Sequence, residues 1–95
     1  MKSAYERALE RMGADIQHYS TEEKEELAEV DRIYDAKEAE ARLSADQRLK
    51  EAASDPQAQE QIRTDLATEL ASIERQREQQ KAQLRESFGK EESGS

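Results

Sequence analysis

The chain has 95 residues, of which 34% are hydrophobic, 4% aromatic and 40% charged, and its formal charge is −8. So little apolar material excludes an ordinary globular core of the kind a compact enzyme is built on. The acidic balance argues against general binding to nucleic acid or to an anionic membrane, because either requires a basic face. The absence of cysteine excludes disulfides and thiolate metal sites.

Three glycines and one proline among so many charges are the composition of long helices laced with ion pairs. No apolar run approaches the roughly 18 residues of a membrane span, and the charged start Met1-Lys2-Ser3-Ala4-Tyr5-Glu6 lacks the apolar core of a signal peptide. The expectation is a soluble, cytoplasmic protein of all-α class: an antiparallel two-helix coiled-coil hairpin with a short N-terminal helix.

Residues 1–19 read as a short docking helix and loop. Ser3 and Glu6 have the spacing of a capping box, Gly13 suits a helix C-terminus, and Tyr5, Leu9, Met12 and Ile16 recur about one turn apart. An isolated helix of this length is unstable in water, so its apolar face must dock on the rest of the chain or on a partner.

Ser20 and Glu23 form a second capping box, opening a helix expected over residues 20–53. Leu27, Val30, Tyr34, Ala41, Ala45, Leu49 and Ala52 cluster on one side at 100° per residue. A turn follows at residues 53–57, where Asp55 is the N-cap of the next helix and Pro56 takes its first position. So short a link between two long helices makes them antiparallel neighbours.

The second helix is expected over residues 56–88, with Ala58, Ile62, Leu66, Leu70, Ile73, Leu84 and Phe88 on its apolar side. One register suits both stripes: Leu27 against Leu84, Ala41 against Leu70, Ala45 against Leu66, and Leu49 against Ile62. Small residues on the first helix then meet large ones on the second. The same register levels Glu26 with Arg85, Lys37 with Glu74, and Arg42 with Glu69, as expected flanking ion pairs. Mid-seam, Tyr34 faces Arg77 and Glu38 faces Ile73, predicting a Tyr34–Arg77–Glu38 cluster with ring stacking and an ion pair. Residues 89–95 read as a disordered acidic tail.

No Gly-rich phosphate loop, nucleophile–base set or aromatic-laced basic patch is present, so no catalytic or cofactor-binding residues are assigned and no enzyme activity is expected. The metal candidates are Asp15, His18, Glu22 and Glu26, which place oxygen and nitrogen ligands at helical spacings. Asp15 and His18 stand as the Glu-x-x-His of ferritin-like bundles does, with Asp in place of Glu; this implies a half-bundle that completes its site by dimerising. Against it, the capping box at Ser20 breaks the helix between these groups.

At the turn, Asp55-Pro56 resembles the coiled-coil tip of DksA-type factors, in which an Asp-Pro is followed, three residues after the Asp, by a second acid. Ala58 stands in that place here, and the zinc-binding cysteines of that family are absent. The resemblance covers a few residues and implies, as a second alternative, an acidic tip that binds RNA polymerase. The leading expectation is a non-enzymatic structural or adaptor protein acting through protein–protein contact, with a homodimer forming a four-helix bundle as its simplest assembly. The interaction surface expected is Tyr5, Leu9 and Met12 of the N-terminal helix together with Ile33 and Leu43, which lie off the main stripe.

Overall fold

The computed structural model describes Ala4 and residues 19–93, with side chains as far as Gly89. The expected N-terminal helix face (Tyr5, Leu9, Met12, Ile16), Gly13, and the candidate ligands Asp15 and His18 lie outside the described residues. Within them the chain forms two helices that pack against each other, α1 (Thr21–Glu51) and α2 (Pro56–Ser93). This is the all-α helical hairpin expected from the sequence.

α1 begins where its chemistry says it should. Ser20 is extended (φ −68°, ψ 167°), its hydroxyl accepts from the Glu23 amide at 3.1 Å, and the Glu23 carboxylate accepts from the Ser20 amide at 2.8 Å. Two of the four orphan amides at the helix start are thereby satisfied. Glu22 and Glu23 sit in the first turn, and Arg48 and Lys50 in the last, each favourable to the helix dipole.

α1 ends at Glu51, two residues earlier than expected. Ala52 is its C-cap, and the reversal is closed by the Asp55 amide donating to the Ala52 carbonyl at 2.9 Å. Asp55 then caps α2 as expected: its Oδ1 accepts from the amides of Gln57 (3.1 Å) and Ala58 (3.2 Å). No residue of the turn has a positive φ, so the left-handed C-cap that commonly satisfies a helix's last carbonyls is missing. The Gln59 side chain replaces it, donating to the carbonyls of Ala52 (3.0 Å) and Ala53 (3.1 Å).

All fourteen stripe residues named above are buried or half-buried. The core proper is Val30, Tyr34, Ala41 and Ile73, with Leu66, Leu70 and Leu84 packed against it. Inward positions recur at eleven-residue steps, as in Leu27, Glu38 and Leu49 on α1 and Ile62, Ile73 and Leu84 on α2. A repeat of eleven gives about 3.67 residues per turn, close to a straight helix, so the stripes stay opposed without the left-handed supercoil of a heptad.

Two expectations are corrected. α2 does not stop at Phe88 but runs on through Ser93, so residues 89–93, read from sequence as disordered tail, are helical. Buried Phe88 anchors the final turns against the Tyr19 ring, and Lys and Glu beyond it are good helix formers that outweigh the cost of Gly89, about 1 kcal/mol.

Nor do the three flanking charge pairs form: no ion pair joins Glu26 to Arg85, Lys37 to Glu74, or Arg42 to Glu69. A register gives level along the axis and not side. At 100° per residue Glu26 and Lys37 lie on one flank of the α1 stripe and Arg42 on the other, and each expected partner lies on the opposite flank of the seam. Lys37 in fact lines a groove with Glu69, and Glu74 turns to Arg77.

Candidate functional site

The one polar layer in the seam is built around Arg77, which stands at an inward position of α2 with its side chain only 14% exposed. Three acids of α1 converge on it. Arg77 Nη2 donates to Asp35 Oδ1 at 2.7 Å and to Glu38 Oε1 at 3.0 Å, and Nη1 lies 3.5 Å from Asp31 Oδ1. Glu74, one turn before Arg77 on α2, brings a fourth carboxylate 3.5 Å from Nε. That nitrogen is buried and makes no hydrogen bond. Lys81, one turn further on, donates to both oxygens of Asp31 at 3.2 Å.

The hydrogen bond from Arg77 to Asp35 raises the guanidinium above its already high ordinary value; burial opposes this, and the charges of Asp35, Glu38 and Glu74 add to it. Arg77 is therefore a fixed cation that cannot trade protons near neutral pH.

The expected Tyr34–Arg77–Glu38 cluster is half right. Arg77 and Glu38 do pair, but the cation over the Tyr34 ring is Lys37, its Nζ 4.8 Å from the centroid. The Tyr34 hydroxyl reaches across the seam and donates to Gln80 Oε1 at 2.8 Å. Sequence reading missed Asp31, Asp35 and Lys81. The signal was there: with Tyr34 facing Arg77, the positions about one turn either side on the same flank are all acidic.

Of the candidate metal ligands, Glu22 and Glu26 are exposed on the first turns of α1. Among the described residues no three His, Cys, Asp or Glu side chains are gathered as a metal site. No described helix is long and apolar enough to cross a membrane. Of the interaction surface, Ile33 and Leu43 are in view and both face solvent, 42% and 68% exposed. They are the large apolar side chains left uncovered among the described residues; Leu43 lies with exposed Ala36 and Ala39 on the side of α1 turned away from α2, and Ile33 sits about 80° round from it, on the flank.

The sequence matches no known family model, and no characterised protein or solved structure is detectably similar to it.

Proposed function

We propose that this chain is a non-enzymatic coiled-coil structural or adaptor protein that works by binding protein, and that its first partner is a second copy of itself. The outer face of α1 carries this reading, because Leu43 is 68% exposed in a molecule poor in large apolar side chains. The rest of the hairpin supports it through stability. Only six described apolar residues are buried, each 4–7% exposed and none fully enclosed. Two helices with so thin a core are marginal alone, and a domain of this size ordinarily gains stability from a staple or an association. Two hairpins packed through their α1 outer faces would make a four-helix bundle with a second apolar layer.

Sedimentation equilibrium tests this. The wild type is expected to dimerise at tens of micromolar and the Ile33→Lys, Leu43→Lys double variant to be monomeric. A wild type that stays monomeric at that concentration, or a double variant that associates equally well, would overturn the reading.

A further inference from the structure

The side of α1 turned away from α2 changes character along its length. At 100° per residue its first turns carry Glu22, Glu25 and Glu29 within about 50° of the line opposite the buried stripe, and no base in that arc before Arg32. Its middle is the exposed apolar strip Ala36, Ala39 and Leu43, with Glu40 at the strip's edge and Ile33 outside it on the flank. Its last turns carry Lys50 in the same arc, Asp46 and Glu51 lying about 70° to either side of the line. Arg32 is already held, its Nε donating to Glu29 Oε2 at 2.9 Å. Among the described residues Glu25 and Lys50 form no ion pair.

A second copy can lie along this face in two directions. Running parallel, it sets like beside like: Glu25, about 10° from the line, meets Glu25, Lys50 comes near Lys50, and the helix dipoles point the same way. Running antiparallel, it sets the acidic end of one copy beside the basic end of the other and opposes the dipoles. The register that levels Lys50 with the other copy's Glu25 also levels Ala36 with Ala39 and Leu43 with Arg32. Leu43 then covers the aliphatic stem of Arg32 and the space beside Ala36. Side agrees as well as level: Glu25 and Lys50 lie on the same side of the line, and a two-fold axis perpendicular to the helices keeps them on one flank.

We infer that two copies of this chain pack antiparallel through the outer faces of α1, about a two-fold axis beside Lys37 and Glu38, with Leu43 of each over Ala36 of the other and Lys50 of each beside the other's Glu25. The inference rests on the self-association proposed above and adds its direction and its contacts. It also fixes what the assembly presents: the two α2 helices lie on the outside, and the two hairpin turns emerge at opposite ends of the bundle. A parallel pair would bring both turns to one end.

Distances between spin labels decide it. The chain has no cysteine, so Lys24→Cys or Glu51→Cys, both exposed and off the contact face, places a single label on each copy. At a concentration where sedimentation equilibrium gives dimer, either label should lie about 40 Å from its copy at 1.5 Å per residue, against about 25 Å or less in a parallel pair. A mixture of the two labelled chains should add a distance of about 20 Å, which a parallel pair would place near 40 Å. Leu43→Lys in the same chains should remove these distances. A label within about 25 Å of its own copy, or a mixture without the short distance, overturns antiparallel packing and leaves self-association standing. Distances that survive Leu43→Lys overturn the contact face. A wild type that stays monomeric at tens of micromolar overturns the self-association reading and this inference with it.

Discussion

The side-chain amide of Gln59 reaches back over the turn to the carbonyl oxygen of Ala52, 3.0 Å away, from the first turn of the following helix. With the second bond to Ala53, it does for the end of α1 what a left-handed glycine does in other hairpins. Gln59→Ala should therefore cost about 1 kcal/mol, the usual net value of a hydrogen bond with a partly buried partner. Gln57→Ala, an exposed neighbour, should change stability by less than about 0.5 kcal/mol. Urea denaturation of the two variants checks this, and equal midpoints would mean the Gln59 bonds contribute nothing.

Asp55 acts on the other side of the same turn. Its carboxylate takes the amides of both Gln57 and Ala58, so Asp55→Ala should lose about 0.5–2 kcal/mol and Asp55→Asn much less. Thermal melts followed by circular dichroism would show the order; Asn falling as far as Ala would place the effect elsewhere than the cap.

Leu70 and Ala71 are neighbours in sequence with opposite surroundings. Leu70 packs on the core cluster and Ala71 is exposed. Placing an unpaired carboxylate in the seam costs several kcal/mol, comparable with the whole stability of a small domain. Leu70→Asp should accordingly lose most of its helicity at 25 °C, whereas Ala71→Asp should retain it. Similar helicity in both would contradict the packing described for α2.

These contrasts also mark what could be read from sequence. The turn, the Ser20 box and both apolar stripes were legible because each depends on residues within a few positions of one another, or on a period of three to four. The small-to-large matching of Ala41 with Leu70 and Ala45 with Leu66 suggested the register, and Ala41, Leu66 and Leu70 do share one core cluster. The ionic layer was legible only in part. Which long side chain Arg77 or Lys37 selects depends on the flank it lies on, and a register alone gives level without side. Gln59 escaped for a related reason: a glutamine in a first helical turn is common, and its role exists only once Ala52 and Ala53 are folded back beside it. The end of α2 was misplaced because the residues after Phe88 include no apolar side chain to mark a packed helix, whereas the Phe88–Tyr19 contact that anchors its last turns joins residues far apart in the chain.

The ionic layer gives the last prediction, in which exposure should outrank distance. Asp35 makes the shortest contact with Arg77, 2.7 Å, but its side chain is 66% exposed. Asp31 lies further from Arg77, at 3.5 Å, yet is 38% exposed and also holds Lys81, itself 17% exposed. Exposed pairs are worth little, typically about 0–1 kcal/mol, because water screens them and two side chains must be ordered. Removing Asp31 instead leaves two half-buried cations short of a partner. Asp31→Ala should therefore lower the melting temperature more than Asp35→Ala does. Arg77→Glu should be worse than either, since it gathers a fifth carboxylate beside Asp31, Asp35, Glu38 and Glu74 with no cation at the centre. Arg77→Met keeps the volume and removes the charge, and it should fall well short of the damage done by Arg77→Glu. Added salt should recover part of the loss in Arg77→Glu by screening the acids that face one another, with much less effect on Arg77→Met. Melting curves of the four variants at low and high salt would test the ordering. If Asp35→Ala proves the more damaging of the two aspartate changes, the short surface contact rather than the shared, half-buried Asp31 holds the layer together.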